Sequence, residues 1–161
     1  CYAEARGDWI FLMPADGQVP PDALPVFFNE THQCDVVLGS TSDSEPGWRG
    51  IQSAAYHALV DALFGLLIGR FGVCVLVRRS LVQSLHLVST TPVLMTELAV
   101  RARAAGAGVT GVPIRKHPRK HGSAQGGRML RLWPAIVRDL ARLYMECAAA
   151  ETRHGGTWGG T

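Results

Sequence analysis

Apolar positions along the chain change their period several times, and each change predicts an element. Residues 9–13, Trp-Ile-Phe-Leu-Met, form an unbroken apolar run closed by Pro14 and Gly17. That is the pattern of a short strand covered on both faces. Pro20-Pro21-Asp22 opens a helical stretch to about Asn29, because proline is tolerated only in a helix's first turn. Residues 35–38 predict a second strand ended by Gly39, and the Ser-, Asp-, Pro- and Gly-containing stretch 40–50 predicts a loop. Over residues 52–68 apolar side chains recur at helical spacing (Ala55, Leu59, Ala62, Leu63, Leu66), with Gly69 as the expected stop.

Beta-branched residues return over 73–77, a third strand ended by Arg78-Arg79. Thr91-Pro92 starts a helix expected over 93–105, Gly106 and Gly108 end it, and 109–114 is a fourth strand. A basic loop over 115–127 then leads into a long amphipathic helix over 129–150. Its apolar face holds Trp133, Ile136, Val137, Leu140, Leu143 and Tyr144 beside several arginines. This suits either a terminal helix packed on the sheet or one lying in a lipid interface. Residues 151–161 are expected as a flexible Gly-rich tail. Strands alternating with helices predict one α/β domain over residues 1–150, with a mixed, mainly parallel sheet flanked by helices. Ligands of such sheets bind outside the carboxyl ends of the strands, and Asp16 falls at such an end.

The 161 residues are 47% hydrophobic, enough for one cored domain and too apolar for a disordered tail. The four cysteines lie far apart with no zinc or disulfide spacing, which points to a reducing compartment. No window reaches the roughly 18 uninterrupted apolar residues of a membrane span. The best window, 59–77, carries Asp61 and Arg70. The chain opens on Cys1 with no signal-peptide pattern, so it is expected to begin partway through a longer protein.

Charge is divided along the chain. Residues 1–61 carry nine acids against Arg6 and Arg49, a net −7, whereas residues 115–142 carry eight Lys and Arg against Asp139, a net +7. A protein that holds a divalent cation and phosphate groups together needs that division; a solvated acidic face with a basic tail produces it as well. No basic motif interleaved with aromatic residues is present, which argues against nucleic acid as a partner.

Asp16 and Gln18 place a carboxylate and an amide oxygen just beyond the first strand. Two oxygen ligands with the rest of the shell left to water and phosphates suit Mg²⁺ or Mn²⁺, while an ordinary Asp-Gly turn needs no metal. Arg49 and Ser53 stand four apart, so both face one ligand if Arg49 starts a helix. Arg119 and Ser123 flank Gly122 in the basic loop. His117 and His121 are also four apart, but Pro118 argues against a helix there and no third ligand is near. Glu97, inside a helical stretch, reads as an ion-pair residue. No carboxylate stands out as a general base, and an acceptor that is a lipid monophosphate needs none, its second pKa being about 6.

Taken in order, Pro14-Ala15-Asp16-Gly17-Gln18, then Asp35 through Gly39, then Arg49-Gly50-Ile51-Gln52-Ser53, Thr96-Glu97-Leu98, Val112-Pro113-Ile114 and finally His117 through Ser123 resemble glycosyltransferase family 2, most of all its polyprenyl-phosphate (dolichol-phosphate) sugar transferases. The resemblance covers most of residues 3–127. It implies a GT-A type, Rossmann-like fold whose N-terminal nucleotide-binding half is missing, residues 1–150 being the C-terminal part of a catalytic domain. It also implies transfer of a sugar from a nucleotide-sugar donor to a polyprenyl-phosphate acceptor at the cytoplasmic face of a membrane, with peripheral membrane contact. By the same resemblance Asp16 is the catalytic residue, Asp16 and Gln18 hold Mg²⁺ or Mn²⁺, and Arg49, Ser53, Arg119 and Ser123 bind phosphate. Two departures stand out: Pro14 occupies the place of the family's first motif Asp, weakening the metal site, and Phe71 stands where an acid often precedes the Cys-containing strand. Alternatives are a family 2 transferase acting on a polysaccharide or other alcohol, and a non-catalytic relative that binds an anionic lipid or a partner.

Overall fold

A computed structural model describes residues 2–41, 47–115, 117 and 126–154, less the side chains of Arg49, of 126–130 and of 150–154. The apolar run at the start forms β1 (Trp9–Leu12). A 3-10 turn at Pro21–Ala23 leads into α1 (Leu24–Asn29), where the expected prolines occupy the first turns. Next come β2 (Val36–Ser40), α2 (Trp48–Phe64) and β3 (Phe71–Arg78). The chain continues through α3 (Arg79–Ser84), α4 (Leu94–Ala104), β4 (Val109–Pro113) and α5 (Gly126–His154).

The four strands make one sheet in the order β1-β3-β2-β4. β3 pairs antiparallel with both β1 and β2, and β2 with β4 is the one parallel pair among the described residues. The expectation of a mainly parallel, Rossmann-like GT-A type sheet is therefore corrected: the sheet is mixed and mostly antiparallel. The cause lies in α2. A helix that carries the chain back along the sheet delivers the next strand parallel, but here β3 begins where β2 ends. Ser40 pairs with Phe71, and the Thr41 amide donates to the Arg70 carbonyl at 2.9 Å. His57, midway along α2, still reaches this edge, its Nε2 lying 3.1 Å from the Phe71 carbonyl. Even so, β1, β2 and β4 all point one way, with β3 reversed among them, so their three carboxyl ends share one edge.

Both faces of the sheet are covered. Val36, Leu38, Val75 and Val77 pack with Val60 and Phe64 of α2, Leu98 of α4 and Ile136, Leu140 and Leu143 of α5. On the opposite face Val37, Leu76, Cys74, Val112 and Ile114 meet Phe27 of α1 and Val19. Ile136, Leu140 and Leu143 of α5 are thus used as core, as in a packed terminal helix, while Val137 and Tyr144 of the expected apolar face stay exposed. That helix runs to His154, so residues 151–154, expected in the tail, are helical, and 155–161 lie outside the described residues.

α2 begins at Trp48, inside the stretch 40–50 expected as a loop, and three further differences from the sequence pattern have local reasons. Gly39 does not end β2 but sits within it, because a Cβ there would lie 2.5 Å from Cys74 Sγ and 3.1 Å from Ile114 Cδ1. α2 stops at Gly65 rather than Gly69: Gly65 takes a left-handed φ of 61° and its amide caps the Asp61 carbonyl at 2.8 Å. The short α3, unmarked by any period, is held by buried Val82 and by the Arg79 amide on the Asp8 carbonyl at 2.8 Å.

A polar network joins α4 to α5. Fully buried Glu97 accepts hydrogen bonds from the Ser89 amide (2.7 Å), the Val88 amide (3.2 Å) and Arg101 Nε (2.8 Å). Arg101 also pairs with Glu146 at 2.5 Å, and Arg142 donates to Ser89 Oγ at 3.1 Å. Glu97 is the ion-pair residue its place in the helix suggests. Among the described residues no helix is long and apolar enough to cross a membrane.

Candidate functional site

The codirectional ends of β1, β2 and β4 carry most of the residues that the sequence singles out. Beyond β1, Asp16 Oδ1 accepts a hydrogen bond from the Gln18 amide at 3.1 Å, and Gly17 between them has a φ of 73°. This is an Asx turn, and glycine is the residue that takes such a φ without strain. Val19, buried in the core, pins the turn. The Gln18 carbonyl accepts from the His117 amide at 2.8 Å, which ties the turn to the segment after β4.

Beyond β2 the chain enters α2 at Trp48, with Gly47 as N-cap. Arg49 and Ser53 both lie in this helix, so the condition for their sharing a face is met; the Arg49 side chain lies outside the described residues. Ser53 is half-buried, and its carbonyl lies 2.8 Å from His57 Nδ1. Arg119 and Ser123 lie outside the described residues. The backbone nevertheless leads to them from this edge, since the Ile114 amide donates to the Ser40 carbonyl at 2.8 Å.

Two cations at this edge were not singled out from the sequence as site residues. Arg70 follows from the bond between its carbonyl and the Thr41 amide, and Arg115 comes directly after Ile114. Neither forms an ion pair among the described residues. Arg115 belongs to the +7 segment, which was the available signal. Arg70 gave none, because its position depends on β3 starting beside the end of β2.

Among the described residues no three His, Cys, Asp or Glu side chains group closely enough to hold a metal. A divalent ion would find the Asp16 carboxylate and the Gln18 amide oxygen here. Both are hard oxygen donors, suited to a Mg²⁺ or Mn²⁺ that keeps most of its shell for water and phosphate. One lone-pair position of Asp16 is already taken by the Gln18 amide. Phe71 is buried and meets the His57 ring edge-to-face at 5.2 Å. No protein-family model matches the sequence, and no curated protein matches it significantly.

Proposed function

We propose that the protein is the C-terminal part of a family 2 glycosyltransferase domain that moves a sugar from a nucleotide-sugar to polyprenyl phosphate. The observation that carries this reading is the hydrogen bond from the His117 amide to the Gln18 carbonyl, which brings the Asp16–Gln18 turn beside the entry to the basic loop at the sheet edge from which the chain runs on to α2 with Arg49 and Ser53. An acidic motif beside cationic groups is what a diphosphate leaving group and a phosphate nucleophile require together.

In this reading the acceptor phosphate oxygen attacks the anomeric carbon, the bond from that carbon to the nucleoside diphosphate breaks, and the diphosphate leaves with the electron pair. A bound Mg²⁺ or Mn²⁺ supplies neutralisation of the leaving diphosphate's charge. Asp16 and Gln18 would hold that ion beside the donor's diphosphate, while Arg49, Ser53, Arg119 and Ser123 would orient phosphate oxygens. The acceptor enters already ionised, so no side chain has to remove a proton. In the full-length protein, Asp16→Ala is expected to lower transfer by roughly 100-fold or more, the scale on which loss of transition-state charge stabilisation is felt. Unchanged turnover refutes the assignment.

Pro14 and the Asp16–Gln18 hydrogen bond favour a second reading, a non-catalytic relative that binds an anion at this basic edge. Phosphate binding without release of any nucleoside diphosphate distinguishes it.

A further inference from the structure

The outer face of α2 carries a pattern that an ordinary surface helix lacks. Trp48, Ile51, Ala55, Ala58, Ala62 and Gly65 follow one another at alternating spacings of three and four, the a and d positions of a coiled-coil seam. All six are exposed, Trp48 at 63% and Ile51 at 60%. The opposite side of the helix is already used: Val60 and Phe64 are buried in the core, and Tyr56 and Leu63 pack against it. From Gly50 to Gly65, Asp61 is the one charged residue. A helix that is apolar on every side belongs in an interior, yet among the described residues nothing covers this face.

The order of sizes along the seam says what does. Its bulky residues, Trp48 and Ile51, come first, and its small ones follow. A second α2 laid parallel would stack Trp48 on its own copy and leave gaps along Ala58, Ala62 and Gly65. Laid antiparallel, the layers become Trp48 with Gly65, Ile51 with Ala62, and Ala55 with Ala58. Each bulky residue then stands over a small one, and the two-fold repeats every pairing, as a self-complementary interface requires. A Cβ built on Gly65 meets nothing within 4 Å, so the place opposite Trp48 is open. The centre of such an interface is where charge is depleted, whereas a helix lying on lipid carries Lys and Arg beside its apolar face. Exposed Leu67, just past Gly65, and Tyr144 of α5, edge-on to Phe64 at 6.3 Å, add apolar surface around the seam, toward the roughly 800 Å² per partner of a standard interface.

We infer that the protein forms a two-fold homodimer through α2, with the two helices packed antiparallel along this seam. The inference goes beyond the sugar-transfer reading and does not rest on it.

Sedimentation equilibrium of the full-length protein tests it on wild type, Ala55→Glu and the double variant Ala55→Glu/Ala58→Lys, with circular dichroism to confirm that each is folded, as substitutions at exposed positions should leave them. Wild type should sediment at twice its chain mass. Ala55→Glu puts like charges beside the two-fold and should weaken association by about 100-fold or more. The double variant should recover the dimer, because in the antiparallel register each new carboxylate faces the other copy's new ammonium. A wild type that stays monomeric at every concentration overturns the inference, and flotation of that monomer with phosphatidylglycerol vesicles, lost in Ala55→Glu, would assign the face to lipid instead. A dimer that survives Ala55→Glu unweakened lies on another surface and overturns it as well. Loss of the dimer without recovery in the double variant overturns the antiparallel packing.

Discussion

Removing the Glu97 carboxylate should cost more stability than any other single charge change in the described residues. Its side chain is fully buried and accepts from two backbone amides and from Arg101 Nε, at 2.7, 3.2 and 2.8 Å. Glu97→Ala leaves those donors unanswered and deprives Arg101 of one of its two acids. Breaking a buried pair by deleting one partner costs about 3–5 kcal/mol, and urea unfolding at pH 7 measures it directly. Burial pushes the Glu97 carboxyl upward, but hydrogen bonds from Ser89, Arg101 and Val88 outweigh that and hold it below its ordinary 4.5. A carboxyl lowered by folding contributes stability that is fully present above its unfolded value and is lost as pH falls through its folded value. Wild type should therefore exceed Glu97→Gln by a constant margin above pH 5, and the margin should shrink as acid protonates Glu97 in the native state. A cost below about 1 kcal/mol for Glu97→Ala, against the 3–5 expected for a buried pair, would refute this reasoning. So would a margin that does not change between pH 7 and the acid limit.

Gly39→Ala forces a Cβ to within 2.5 Å of Cys74 Sγ and should destabilise by about 1–3 kcal/mol; adding Cys74→Ala should recover part of that loss in the same denaturation assay, and no recovery would show that the clash lies elsewhere. Gly65→Ala imposes a left-handed φ of 61° on a side-chain-bearing residue at the end of α2. Thermal unfolding should register a loss of roughly 1–2 kcal/mol, and an unchanged melting temperature would mean that the cap relaxes freely.

Elements with a strong period were legible in the sequence. β1, β3 and α4 fall where the unbroken apolar run, the beta-branched run and the Thr91-Pro92 signal place them, within one or two residues. The direction of β3 was not legible, because a strand's sense is set by where its connecting helix lets the chain re-enter the sheet. That is a tertiary matter, and α2 keeps His57 beside Phe71 rather than carrying the chain back. Glycines misled for a related reason. Gly39 resembles a strand stop but is a point of close approach to Cys74, and Gly65 rather than Gly69 adopts the left-handed cap.

The candidate site was half legible. Asp16 and Gln18 could be placed beyond a strand end from local patterns alone, whereas Arg49 fell in the expected loop 40–50 and shares a helix with Ser53 because α2 starts at Trp48. Arg70 could not, since its membership of the edge depends on the hydrogen bond between Thr41 and its carbonyl.

The central claim is sugar transfer to a lipid phosphate, and one titration tests it most directly. The full-length protein, with the N-terminal half that the reading requires, is incubated with a panel of nucleotide-sugars under Mg²⁺ or Mn²⁺, and nucleoside diphosphate is measured before and after polyprenyl phosphate is added. The account predicts that one donor stabilises the protein only when metal is present, and that diphosphate appears only once the lipid is supplied. Absence of donor binding under either metal would contradict it and leave the basic edge as an anion-binding surface without catalysis.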